Sequence, residues 1–228
     1  MKIGYLSISD KITVMCYGCN FKCKNCFVKM DSYKEIPPTK LCKIIDNLCS
    51  KKKINTILIA GGEPTLQKDL PEFTRLLKSK NRKVILTTNG YYLKNIVDDL
   101  FVDEIHVDLK AYDDEKHKYL TGKSNKNVLK CIEYLAKKKL NFEVDTVLIP
   151  NIVDIDEIEK IAKFLSKWDT KYRIIGYAPF NNNLNARNPT KEEILKAKEI
   201  AKKYLSNVTT SLDFRRHKKV KEIIKFDK

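Results

Sequence analysis

Six short β-type runs alternate with six amphipathic helical stretches, which predicts a parallel α/β sheet. Over 228 residues this amounts to a partial (β/α)6, TIM-like barrel in a single domain. Length sets the number of units, because a closed eight-fold barrel takes about 250 residues. Placement is the third observation: the unusual residue clusters all fall just past strand ends, on the rim where such folds bind ligands. Strands are read at 12–16, 56–60, 83–88, 104–110, 142–149 and 172–177, and helices at 38–50, 70–80, 92–99, 126–139, 154–168 and 191–205. Pro37-Pro38-Thr39 and Pro189-Thr190 are helix starts, and Thr190 with Glu193 has capping-box spacing. Asp154 opens a helix whose Ile155, Ile158, Ile161, Ala162 and Leu165 make one apolar face. The barrel core spans about 12–181, and 190–228 is a helical, basic extension of the same 1–228 unit.

Apolar residues make up 43% of the chain, enough for a sizeable core and against global disorder. No apolar run approaches the ~18 residues of a membrane span, and Met1-Lys2-Ile3-Gly4 does not begin a signal peptide. A soluble, cytoplasmic protein with no membrane partner is expected. The formal charge of +16 comes from 45 Lys and Arg against 29 Asp and Glu. Only 6 of the basic residues are Arg, so a lysine-loaded surface explains the excess better than a dedicated nucleic-acid face. The stretch from Phe214 to Lys228, with Arg215 and Arg216, reads as a solvated basic helix; docking to RNA or an acidic protein is the alternative.

Seven cysteines without a disulfide pattern suggest a metal site in a reducing compartment. Four of them lie in Cys16-Tyr17-Gly18-Cys19-Asn20-Phe21-Lys22-Cys23-Lys24-Asn25-Cys26. Two Cys-x2-Cys pairs would make a four-thiolate zinc site that includes Cys16, although three residues between pairs leave little chain to wrap an ion. The other division is Cys19-x3-Cys23-x2-Cys26, three thiolates on one compact loop, which suffices for a four-iron cluster with one open iron. Cys16 is then a buried strand-end residue, and Cys42, Cys49 and Cys131 are core.

The second division, after the first strand and preceded by Gly18, resembles the signature of the radical S-adenosylmethionine (SAM) superfamily. That resemblance implies one [4Fe–4S] cluster on Cys19, Cys23 and Cys26, with SAM chelated on the open iron. It also implies reductive cleavage of SAM to methionine and a 5′-deoxyadenosyl radical that abstracts hydrogen. Gly61-Gly62-Glu63-Pro64 resembles the family's second signature, whose backbone and carboxylate receive the SAM amino group. Thr88-Asn89-Gly90 and Asp108-Leu109-Lys110 resemble segments of glycyl-radical-enzyme activases, which places Thr88, Asn89 and Asp108 around SAM and Lys110 against its carboxylate. Asp108 and Lys110 alternate with Val107 and Leu109, so both face one side; a simple ion pair is the plain reading. The likeness runs on through Val147-Leu148-Ile149-Pro150 to Tyr177-Ala178-Pro179-Phe180-Asn181, where Asn181 is a further nucleoside contact.

The nearest families are pyruvate formate-lyase activating enzyme and the anaerobic ribonucleotide reductase activases. They imply an oxidoreductase that draws an electron from a flavodoxin or ferredoxin and takes hydrogen from a glycine of a glycyl radical enzyme. Radical SAM chemistry on tRNA or a small cofactor precursor is the first alternative, and a non-catalytic zinc module the second. His106, His117 and His217 are read as structural or exposed, and Trp168 as core.

Overall fold

The computed structural model describes residues 1–28, 30–180, 184–213 and 220–226. Strand β1 (Lys2–Ile8) turns through Ser9–Lys11 into β2 (Ile12–Cys16), its antiparallel neighbour. A two-residue β3 (Lys34–Glu35) then pairs with β1. Helix α1 (Pro38–Lys52) starts at the expected proline and leads to β4 (Thr56–Gly61). Next come α2 (Leu70–Ser79), β5 (Lys83–Thr88) and β6 (Glu104–Asp108). Helices α3 (Asp114–Thr121) and α4 (Lys126–Lys137) precede β7 (Phe142–Leu148). The chain continues through α5 (Ile155–Leu165), β8 (Lys171–Gly176), α6 (Lys191–Lys202), β9 (Val208–Thr210) and β10 (Glu222–Lys225).

Sheet order is β10-β1-β2-β4-β5-β6-β7-β8-β9, parallel from β2 to β9 and antiparallel at β1 and β10. The expected partial barrel is therefore present, with its helical crossovers on one face. Strand alternation assigns the two faces. Ile57, Leu86, Val107, Val144 and Ile174 point outward into the main core, where they meet helical residues such as Leu41, Phe73, Ile132 and Ile158. Each such burial contributes roughly 1.5–3 kcal/mol. Their neighbours in sequence line the concave face.

Several expectations change. Residues 92–99 form two 3₁₀ turns, Leu93–Asn95 and Val97–Asp99, instead of a helix. Asp98 and Asp99 would stand at its carboxyl end, against the macrodipole. The stretch after Phe214 is not wholly helical: Glu222–Lys225 is a strand on β1, while 214–219, including Arg215, Arg216 and His217, lies outside the described residues. Trp168 is half-buried, not core, and its ring meets Phe164 edge-on at 5.6 Å. Strands β6, β7 and β8 end one or two residues before the expected boundaries, as the chain leaves the ladder for the rim. Among the described residues no helix is long and apolar enough to cross a membrane.

Candidate active site

The cysteine loop leaves β2 at Cys16 and is held from two sides. On one side the turn after β4 docks on it: Gly62 N–H donates to Cys16 O at 2.8 Å, Glu63 N–H to Gly18 O at 2.7 Å, and the Gln67 side chain donates from Nε2 to Tyr17 O at 3.0 Å. This approach requires glycine. A Cβ on Gly62 would stand 2.0 Å from Gly18 O, and Gly61 has φ +111 with Cys16 backbone atoms 2.6 Å from where a Cβ would sit. On the other side, the end of α3 accepts hydrogen bonds from the loop, Lys22 N–H to Thr121 O and Lys24 N–H to Leu120 O, both 2.9 Å. Phe21 adds an edge-on contact with the His117 ring at 5.6 Å, and Lys24 Nζ lies 3.6 Å from the Tyr119 ring centroid.

Held this way, the loop presents Cys19 and Cys26 exposed and Cys23 half-buried. Donors already point at one sulfur: Phe21 N–H to Cys19 Sγ at 3.4 Å and Asn89 Nδ2 at 3.9 Å. N–H donors of this kind stabilise a ligating thiolate, so the donor set fits an iron–sulfur cluster held by three cysteines. Burial pushes the Cys23 thiol up to about 11, against the pull of nearby Lys110, so ligation there releases a proton. Cys16 does not join the loop cysteines. It is fully buried in the main core, and burial followed by Glu63 raises its thiol to about 12. Cys42, Cys49 and Cys131 are buried as expected.

Glu63 departs from its expected presentation. Its carboxylate is sealed beneath the turn: Oε1 accepts from Thr65 N–H (3.0 Å), Thr65 Oγ1 (2.6 Å) and Thr88 Oγ1 (2.6 Å), and Oε2 from Asn89 N–H (2.7 Å). Burial pushes its pKa upward while those hydrogen bonds pull it down. Glu63 thus ties the rim turns after β4 and β5 together, and Pro64 starts the 3₁₀ turn that supplies Thr65. The backbone of Gly61 and Gly62, which are half-buried, is the part of this turn left facing the rim. Asn89 is brought to the cysteine loop by its other contacts, Nδ2 to Asn20 Oδ1 at 2.8 Å and Oδ1 accepting from Tyr91 N–H at 3.0 Å.

Lys110 and Asp108 form the ion pair, Nζ to Oδ2 2.9 Å. Burial pulls the Lys110 pKa down, but Asp108, Cys23 and Asp145 outweigh it and hold the ammonium above the usual lysine range. Lys110 therefore stays charged beside Cys23, with Asp108 as its partner. Asn181 lies outside the described residues. Sequence reasoning missed three contributors: Phe21 and Asn20 on the loop, and His117, which is wholly buried with Nδ1 2.8 Å from Lys123 O.

Known proteins resemble this chain in sequence and fold. A Methanocaldococcus jannaschii protein provisionally named glycyl-radical enzyme activating enzyme is 60% identical over 228 residues, 98% of this chain and 89% of its own. A protein named as a probable GTP 3′,8-cyclase from Methanococcus aeolicus is 29% identical over 216 residues, 89% of this chain and 70% of its own. Among solved structures, Streptococcus suis SuiB bound to its precursor peptide SuiA superposes with a TM-score of 0.72. That match has 17% identity and covers 85% of this chain and 46% of SuiB. The model of the Radical SAM superfamily matches residues 13–165, which include the cysteine loop, the glycine turn and Lys110. The chain belongs to the Radical SAM superfamily, and its reaction is a radical SAM reaction.

Proposed function

We propose that this radical SAM enzyme is a glycyl-radical-enzyme activase. The reading is carried by the 60% identity, over nearly the whole of both chains, to the provisionally named activating enzyme. Family membership implies SAM and a [4Fe–4S] cluster. When bound, they supply a 5′-deoxyadenosyl radical after one electron arrives from an external reductant such as a flavodoxin or ferredoxin.

The chain's own residues would do the following. Cys19, Cys23 and Cys26 hold the cluster on a loop fixed by α3 and by the turn after β4. The Gly61 and Gly62 backbone accepts the SAM amino group. Glu63 and Thr88 act through position, keeping that turn and Asn89 in place. Lys110 turns from Asp108 toward the SAM carboxylate. Asn89 contacts the nucleoside; Asn181, outside the described residues, is the further contact that the family resemblance implies. A backbone glycine of the partner would supply the hydrogen atom that this chemistry removes, leaving the glycyl radical on the partner.

Incubation of the reconstituted enzyme with SAM, a reductant and the glycyl radical enzymes of the same organism tests this. A glycyl-radical signal in electron paramagnetic resonance is expected, and its absence with all of them counts against the reading. The likeness to GTP 3′,8-cyclases supports a second reading, radical chemistry on a nucleotide. Conversion of GTP by the same preparation would favour it.

A further inference from the structure

The concave face of the barrel carries a cluster that neither the cysteine loop nor the glycine turn uses. Glu104, His106 and Asp108 on β6, Glu143 and Asp145 on β7, and Arg173 on β8 all point to this face. The parallel register sets them side by side, His106 beside Glu143, Asp108 beside Asp145, and Asp145 beside Arg173. The ligand atoms of His106, Glu143 and Asp145 lie within 4.8 Å of one another, a spacing that would suit a cation. The Arg173 guanidinium takes that place: Nη1 is 3.0 Å from Glu143 Oε1, and Nη2 bonds both Asp145 Oδ2 and, at 3.2 Å, His106 Nδ1.

A guanidinium has no acceptor, so His106 Nδ1 must be the acceptor and its proton resides on Nε2. That nitrogen faces Glu104 Oε1 at 3.3 Å. Among the described residues of this face, Lys110 rests on Asp108 at 2.9 Å and is the group the activase reading commits to the SAM carboxylate. Lys83 faces Glu104 at 3.8 Å, and Lys171, which donates to the neutral Asn141 at 2.9 Å, keeps its charge at the end remote from the cysteines. The facing half of the sheet presents Leu58, Ala60, Ile85 and Thr87. A nucleoside triphosphate or an RNA backbone needs cations that are not already neutralised. Arg173, the arginine of this wall, is engaged by two carboxylates.

We propose that the caged Arg173 network makes the barrel wall a selectivity element that rejects polyanionic substrates and admits an uncharged polypeptide segment. The inference deepens the activase reading by naming what its substrate site accepts, and it stands or falls separately from it. Removing the two carboxylates frees the guanidinium. Glu143→Gln with Asp145→Asn converts the wall from one that neutralises its arginine into one that offers it to phosphate.

The test has two arms on the reconstituted, SAM-loaded protein at pH 8, where Asp145 is ionised and pairs with Arg173. In the first, GTP binding is followed by calorimetry. Wild type is expected to bind at about 1 mM or weaker, and E143Q/D145N at least about tenfold tighter, equivalent to about 1.4 kcal/mol. The single variant E143Q, which keeps the buried Asp145–Arg173 pair, gives an intermediate gain and guards against misfolding of the double variant. In the second arm, short peptides carry one dideuterated glycine flanked by Ser and Ala or by Asp, with dithionite as the electron source. Deuterium is expected in 5′-deoxyadenosine about tenfold faster from the uncharged peptide. Micromolar GTP binding by wild type, or equal transfer from the Asp-flanked peptide, overturns the inference. No transfer from any peptide while GTP stays unbound fails the activase reading and leaves the rejection of polyanions supported.

Discussion

Replacing Glu63 by Gln separates a buried tie from a group that meets SAM directly. The side chain is fully buried and its two oxygens serve four donors. In the better orientation the Gln oxygen keeps the three donors at Oε1, and its NH2 then faces Asn89 N–H across the 2.7 Å contact. One hydrogen bond to a charged acceptor is lost, about 1.5–3 kcal/mol, and the donor left buried costs about 1–3 kcal/mol more. Relief of the buried charge offsets part of this, for a net loss of about 3 kcal/mol. In a chain of this size, at about 2–4 °C per kcal/mol, the SAM-free protein melts roughly 6–12 °C lower. Thr88→Val removes one donor to the carboxylate and also the acceptor of the Gly90 N–H, so it too costs about 2–3 kcal/mol. Differential scanning calorimetry of the apo protein, beside the KM for SAM, reads the outcome. An unchanged melting temperature with a raised KM would refute the tie and return Glu63 to direct contact with SAM.

Four further outcomes follow from the same geometry. Gly62→Ala drives a Cβ to 2.0 Å from Gly18 O, so the turn and loop separate and iron content after reconstitution falls at least severalfold. Cys16→Ala retains full iron and sulfide because Cys16 lies in the core, whereas Ala at Cys19, Cys23 or Cys26 abolishes cluster retention. Iodoacetamide at pH 8 labels exposed Cys19 and Cys26 but spares buried Cys16 and Cys131, whose thiols are pushed up to about 12; mass spectrometry reads the pattern, and reconstitution protects the loop cysteines. Burial, against Arg173, raises Asp145 from the ordinary 3.8 to about 7, so the folded chain keeps a proton that the unfolded chain has released. Its contribution to stability is present below about pH 4 and is lost as pH rises to about 7, by at most about 1.4 kcal/mol per unit, and D145N flattens that slope in denaturant titrations.

Much of this is legible in sequence because the signals are local. Strands β2 and β5 stand where continuous apolar runs place them, and α6 carries the Thr190–Glu193 capping box. The cysteine spacing and the glycine turn need no tertiary knowledge either. Strand β1 was missed although Ser9-Asp10-Lys11 between two β-type runs is a hairpin signal. What stays hidden depends on distance along the chain. Glu63 is sealed by donors up to 26 residues away, and the α3 carbonyls that hold the cysteine loop are nearly 100 residues from it. No spacing rule reaches that far.

The charged wall lies between these cases. Alternation alone shows Glu104, His106 and Asp108 on one side of a strand and Glu143 and Asp145 on one side of another. The sign of the wall is not in either strand. It depends on the register that sets Arg173 beside Asp145, because one arginine fills an acidic pocket fit for a cation and still leaves no net positive charge there. The overall charge of +16 therefore says little about the substrate. Lysines on the outer faces set the field far from the protein, whereas the lumen is governed by ion pairs a few ångströms apart, on which solvent screening acts weakly. A polyanion drawn to the surface by the first would meet in the second an arginine already held by two carboxylates.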